Sequence, residues 1–438
     1  MRRQNHIKSH SAVPMPAECW LNSQALNKAG NDAIFSWYAK YKNAVLGGHN
    51  AINATVGSLL EDDGSLAINR AALKAVKMSE DVEFASYAPL KGLPSYLDLS
   101  ISLALGHERS NLEDLGLHMT SIATPGGSGA LYLTAANLIE SGQKVLLRDR
   151  HWAPYAGFTA GCNLKMETWP LLPSSPSETP FFDQSGFEQS LQSLREKQSK
   201  ILVWLNDPAH NPTGLSMTPS GRRACLESMV TSALSSENVG HTLVIDAAYT
   251  MYAEEPHGWA ETIREAIHQG MPWPENLLVC FAVSLSKSHT VYGLRTEALV
   301  SIHPEMEAVK RLETVFGVTG RSTWSAAPRI AQHAMSVLHE NEETGSHWST
   351  ERDRLKAMLD ERRNTLLQSC QNYGIELNPT HDGFFAWLET KDSVEIATKC
   401  AKHHVYVVPL EHGIRIGLCS LRASDCDLFA SVLSQFIG

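Results

Sequence analysis

The sequence predicts an α/β protein, with a large domain built on a mainly parallel sheet between helices and a smaller α/β domain after it. Three observations carry this reading. Apolar, strand-like runs at 144–147, 200–205, 242–245 and 277–283 alternate with helix-periodic segments at 187–194 and 222–234; strands separated by helices form a sheet covered on both faces. Polar motifs directly follow such runs, where folds of this class gather their ligands. After about residue 325 the character changes, from alternating elements to one long helical segment and then short strands.

In chain order, residues 1 to about 30 read as poorly structured. From Asp32 to Asn43, the residues Ile34, Phe35, Tyr38 and Tyr41 recur three or four apart, which predicts an amphipathic helix. The stretch 51–57 reads as a short strand ending in Gly57, and Glu61-Asp62-Asp63-Gly64 as an acidic turn. A turn at 87–93 leads into a helix with apolar positions Leu97, Leu99, Ile101 and Leu103. Gly126-Gly127-Ser128-Gly129 follows a short run at Ile122 and precedes a helix over 131–139. The Pro- and Ser-rich stretch 172–179 reads as an exposed loop. Later, Thr350 and Asp353 read as the capping pair of a helix that runs to Cys370, followed by strands at 383–388, 405–408 and 414–418. The expected division is an N-terminal segment, 1–57, packed on the small domain; a large domain, 58–325; and the small domain, 326–438.

Composition narrows the function. The chain has 438 residues, 43% hydrophobic and 19% charged, as in an ordinary globular protein with a large core. A net charge of −10 argues against a nucleic-acid partner, because phosphate contact needs a basic surface. No apolar run approaches the roughly 18 residues of a membrane span. The eight cysteines form no Cys-x-x-Cys pair, which predicts reduced thiols in a cytoplasmic protein. No histidine spacing suggests a metal site. Arg2, Arg3 and Lys8 without an apolar core read as a basic tail rather than a secretory signal, with a mitochondrial presequence as the alternative.

Chemistry concentrates at Ser284-Leu-Ser-Lys287. A lysine at the end of a buried strand, with no acid beside it in sequence, tends to lose its proton, and a neutral amine forms Schiff bases. Three glycines and a serine at a helix start suit an anion as well as a tight turn. The Walker pattern is absent, since no Gly-Lys-Ser/Thr closes the turn.

Further motifs line up with these: Trp152, Asn211-Pro-Thr-Gly, Asp246-Ala-Ala-Tyr249, Arg295 eight residues past Lys287, and Gly413-Ile-Arg415-Ile-Gly417. In this order and at these spacings, the chain from about Asp32 to near its end resembles the class I pyridoxal-phosphate aminotransferases, the aspartate and aromatic type of fold type I. The resemblance implies a seven-stranded sheet, pyridoxal 5'-phosphate as cofactor, and exchange of an amino group between an amino acid and a 2-oxo acid such as 2-oxoglutarate. It implies Lys287 as the residue that holds the cofactor as an internal aldimine and moves the substrate proton, and Asp246 as the partner of the pyridine nitrogen. Asn211 and Tyr249 would bond the phenolic oxygen, and Trp152 would stack on the ring. Gly127, Ser128, Gly129, Ser284 and Arg295 would hold the phosphate, joined by Tyr87 from a neighbouring subunit, hence a homodimer. Arg415 would clamp the substrate carboxylate beside Asn211 and the backbone of Gly57.

Two departures from the family pattern are visible. Gly317 stands where dicarboxylate-specific members carry a second arginine, with Arg321 four residues on. Gly126 stands where aspartate enzymes usually carry serine. The first shifts the expected donor toward aromatic or broad neutral amino acids. A carbon–sulfur or related lyase on the same fold is the alternative activity, and a non-catalytic cofactor-binding protein a more distant one.

Overall fold

A computed structural model describes residues 20, 21, 25 and 32–437. The expectation for residues 1 to about 30 therefore lies, apart from three positions, outside the described residues.

The first helix, Ala33–Leu46, starts where Asp32 Oδ1 accepts the amides of Ile34 (2.8 Å) and Phe35 (3.2 Å). Its buried residues are Trp37 and Ala44, whereas Phe35 is 70% exposed. Of the predicted stripe, Tyr41 packs against the second core, and Ile34, Phe35 and Tyr38 line a cavity. β1 (Ile52–Asn53) is shorter than the predicted 51–57, because the chain from Ala54 onward leaves the strand to line a cavity and pair elsewhere.

Seven strands build the main sheet: β2 (His118–Pro125), β3 (Lys144–Arg148), β4 (Lys165–Trp169), β5 (Lys200–Asn206), β6 (Gly240–Ala247), β7 (Leu277–Ser284) and β8 (Thr296–His303). Their order is β2-β8-β7-β6-β5-β3-β4. β8 runs antiparallel to both neighbours, and the other pairings are parallel. β3, β5, β6 and β7 are the four runs read from sequence. β4 was not, since only Trp169 in it is buried and it forms the sheet edge. β8 was not either, although every residue in it is buried. Helices such as Gln184–Arg195, Pro219–Leu234 and Gly258–His268 pack on one apolar cluster against the sheet, and Gly127–Asn137 on another.

The next long helix, Glu342–Asn372, has 31 residues. It begins at Asn341, whose side chain accepts the amides of Glu343 and Thr344. The predicted cap at Thr350 is corrected: its hydroxyl bonds back to Ser346 O (2.9 Å) inside the helix. Asn341 wins because its short carbonyl reaches two otherwise unpaired amides. Near the start of this helix Trp348 packs into the main-sheet cluster, while Leu355, Leu359, Leu366 and Cys370 belong to a second one. That second cluster also takes in Trp37, Ala44 and Ile52 from the N-terminal segment. The rest of the chain forms β9 (Phe385–Glu389), β10 (Val405–Tyr406), β11 (Val408–Leu410) and β12 (Gly413–Gly417), with the helices Ser393–Lys402 and Cys426–Ser434. β10 pairs with β1, and the remaining three form an antiparallel sheet ordered β11-β12-β9.

Candidate active site

A cavity of about 330 Å³ lies beside the carboxyl ends of β5, β6 and β7. Those ends contribute Asn206, Asp246 and Ser284. The one-turn helix Leu285–Ser288 then carries Lys287 into the cavity. Lys287 Nζ donates to Gly57 O (3.0 Å) and sits 4.8 Å from the Tyr292 ring centre. Burial lowers the amine's pKa from its ordinary value to about 8, with the cations Arg415 and Arg295 adding to the effect. Near neutrality roughly a tenth of this lysine is therefore neutral, far more than of an ordinary lysine, as the sequence reading required.

Asp246 is buried, and its Oδ2 accepts the Tyr155 hydroxyl at 2.6 Å. Burial pushes its carboxyl up, while Tyr155, the Ala248 amide and Lys287 pull it partly back. Asn206 braces the same place: its Nδ2 donates to Asp246 O (2.7 Å) and its Oδ1 accepts the Asn211 amide (2.6 Å). Asn211 Nδ2 is 3.5 Å from the Tyr249 hydroxyl, whose pKa burial raises.

One end of the cavity suits an anion. Gly126 adopts φ +85°, and the helix Gly127–Asn137 opens immediately after it, four residues earlier than expected. The first amides of such a helix have no partner within it and face outward. A side chain at Gly126 would place its Cβ 1.9 Å from Arg295 Nη2, so the departure from serine fits the position taken by this arginine. Arg295 Nη1 donates to Tyr292 O (3.1 Å) and Ser286 Oγ (3.3 Å).

At the other end Arg415, on β12, is only 2% exposed. Its Nη2 donates to Thr55 O at 2.6 Å, and its guanidinium lies 4.4 Å from the Phe385 ring centre. Its Nε has no hydrogen-bond partner among the described residues. Burial lowers the pKa of this guanidinium, which marks a cation placed where an anion would relieve its desolvation.

The profile of the family "Aminotransferase class I and II" matches residues 49–433. The chain belongs to that family. It is 24% identical to a tyrosine aminotransferase of Klebsiella pneumoniae over 356 residues, which is 80% of this chain and 83% of the relative. The crystal structure of an aminotransferase from Anaerococcus prevotii superposes with a TM-score of 0.88 at 24% identity, covering 96% of this chain and 99% of that one. An aromatic-amino-acid aminotransferase from Burkholderia pseudomallei, covalently bound to pyridoxal phosphate, superposes at 0.73 with 19% identity over 94% and 98% of the two chains. The protein is a pyridoxal-phosphate-dependent transaminase. Its relatives' names favour transamination over the lyase alternative.

The arrangement in this aminotransferase suits the cofactor. A glycine turn, two hydroxyl residues and Arg295 form an anion cup, a buried carboxylate lies beyond it, and a depressed-pKa lysine stands between the two arginines. Of the residues expected from sequence, Gly57, Gly127, Ser128, Trp152, Asn211, Asp246, Tyr249, Ser284, Lys287, Arg295 and Arg415 all line the cavity. Gly129 does not; it lies behind the turn, where a Cβ would come 2.9 Å from Pro125. Tyr87 is 89% exposed and outside the cavity of its own subunit. Arg321 is also outside it, with Nη1 donating to Ser325 Oγ at 2.6 Å.

Several cavity residues were missed from sequence: Asn206, Tyr292 and Glu297, the wall formed by Ile34, Phe35 and Tyr38, and Tyr155 behind Asp246. Asn206 could have been found, because it directly ends a strand-like run. The helix at Ala33–Leu46 explains its own exposed stripe, since Ile34, Phe35 and Tyr38 face the cavity. Among the described residues no helix is long and apolar enough to cross a membrane.

Proposed function

We propose that this transaminase takes an aromatic or bulky neutral L-amino acid as donor and 2-oxoglutarate or a similar 2-oxo acid as acceptor. One observation carries the reading. The cavity lining includes Ile34, Phe35, Tyr38, Val56, Tyr292 and Phe385 together with the acid Asp32, and its only cations from this chain, among the described residues, are Lys287, Arg295 and Arg415. A donor's α-carboxylate takes Arg415, which leaves its side chain an apolar and aromatic surface and no fourth cation for a second carboxylate. The relatives' names include tyrosine and aromatic-amino-acid aminotransferases as well as aspartate aminotransferases, so the preference rests on the cavity lining.

In this reading pyridoxal phosphate, when bound, supplies the electron sink that makes the donor's α-proton removable. Lys287 would hold the cofactor and, once freed, take the donor's α-proton and deliver it to the cofactor's C4′ carbon. Asp246, oriented by Tyr155 and Asn206, keeps a proton on the ring nitrogen. Asn211 and Tyr249 bond the ring oxygen, and Trp152 covers the ring face. Gly127, Ser128, Ser284 and Arg295 seat the phosphate, with Gly129 keeping the turn tight. The exposure of Tyr87 supports a homodimer in which this tyrosine completes the neighbouring cup. The division at 57 and 325, and a cytoplasmic location, belong to the same proposal.

An absorbance spectrum of the purified protein tests it. A band near ~420 nm should move toward ~330 nm on adding phenylalanine, tyrosine or tryptophan and return with 2-oxoglutarate. A faster and fuller response to aspartate would overturn the donor preference. A band unmoved by any donor would overturn the assigned roles.

A further inference from the structure

Glu297 occupies the anion end of the cavity, a position where a carboxylate is unexpected. It is 1% exposed and lines the cavity together with Ser284, Ser286 and Arg295. Its place follows from sheet register: β7 and β8 run antiparallel, and Ser284 pairs directly with Glu297. The Ser284 hydroxyl donates to Glu297 Oε1 at 3.1 Å, and the Ser286 hydroxyl and amide also lie against the carboxyl, yet Oε2 has no partner at hydrogen-bond geometry among the described residues. A buried carboxylate oxygen without a donor costs free energy unless it carries a proton or meets one. Placed against a phosphate dianion, an ionised carboxylate would also repel it.

Resting on the assignment of this end to the cofactor phosphate, we propose that Glu297 is a positioning residue of the phosphate cup that acts as a neutral carboxylic acid. Its Oε2–H donates to a phosphate oxygen, and cofactor binding takes up one proton from solvent at this residue. The charged and titratable groups that face it are consistent with this. Lys287 and Arg295 stand on the cavity side, and the buried Tyr96, whose hydroxyl is likewise unpartnered, stands on the side of the helix Pro94–Leu105. Burial pushes the Glu297 carboxyl up, and Ser286, Arg295 and Ser284 offset only part of the rise. Arg295 alone faces a dianion with one full charge; a neutral Glu297 adds a donor without adding a charge.

The test uses the full chain freed of cofactor and titrated with pyridoxine 5'-phosphate, which has no aldehyde and so forms no bond to Lys287; any proton Lys287 gains on binding is common to wild type and Glu297→Gln. Calorimetry at pH 8 in buffers of different ionisation enthalpy reads proton uptake in the wild type and in Glu297→Gln. The wild type should take up close to one proton more per ligand bound than the variant. Its affinity should fall about tenfold per pH unit more steeply than the variant's at alkaline pH. Equal uptake in both proteins overturns the proposal and leaves Glu297 a structural group. A ~420 nm band with pyridoxal phosphate, measured on the same preparations, reports separately on whether this end binds the cofactor at all.

Discussion

The two arginines that bracket the cavity are built on opposite plans. Arg295 follows a short 3-10 turn, has φ +53°, is exposed overall, and holds its head by hydrogen bonds to a carbonyl and a serine hydroxyl. Arg415 projects from the middle strand of a three-stranded sheet, is almost fully buried, and rests on Phe385 with one nitrogen unpartnered. The difference separates two ways of holding an anion. Arg295 keeps access to water and shares its task with hydroxyls and helix amides, so no single group dominates. Arg415 has been desolvated in advance by folding, so a carboxylate arriving there meets a cation with little water left to displace.

If that contrast is right, the two ends should fail differently. Arg415→Ala should lower kcat/KM for the amino donor by about 10²–10³-fold, because it removes one partner of a buried charged pair, while cofactor affinity stays nearly unchanged. Steady-state kinetics with saturating cofactor, set beside a cofactor titration, would check both halves. Arg295→Ala should do the reverse: about 10–100-fold weaker cofactor binding by absorbance titration, with donor KM little altered once cofactor is saturating. Equal losses in both parameters for either variant would break the comparison.

Between the ends, Tyr155→Phe should lower kcat by about tenfold and leave KM for the donor alone, since it removes a hydrogen bond to Asp246 without touching either arginine. The smallest effect is a pH profile. Because the Lys287 amine is neutral above a pKa of about 8, its rate of capture of pyridoxal phosphate by the cofactor-free chain should climb with pH and level off above that value. Stopped-flow absorbance at 420 nm, approximately the band of the linked form, follows it. A profile still climbing steeply at pH 10 would mean an amine no more desolvated than a surface lysine.

The legibility of this molecule follows from what is local. Asp246, Ser284 and Lys287 sit at the ends of apolar runs, so strand, strand end and functional group can be read within a dozen residues. The anion turn was legible in composition but not in extent, because Gly126 lets the helix begin four residues sooner than its apolar pattern suggests. Glu297 was illegible for a different reason. Nothing in Arg295-Thr296-Glu297 points to a cavity; only the antiparallel pairing of β7 with β8 brings that carboxyl back to Ser284. Tyr155 likewise gains meaning only when folding brings its hydroxyl to Asp246. The cap at Asn341 was passed over because Thr350 also offers a hydroxyl, and whether a hydroxyl caps or bonds back one turn depends on where the helix has already started.

The helix Glu342–Asn372 has a mechanical consequence. It runs from the main-sheet core to the cluster that contains both neighbours of Arg415, Ile414 and Ile416. From Trp348 to its end it is roughly 36 Å long, so a rotation of about 5° at Trp348 displaces the far end by about 3 Å. The ring stacked on Trp348 at 4.6 Å is His289, two residues beyond Lys287. One helix thus joins the core that flanks Arg415 to the segment that carries the reactive amine.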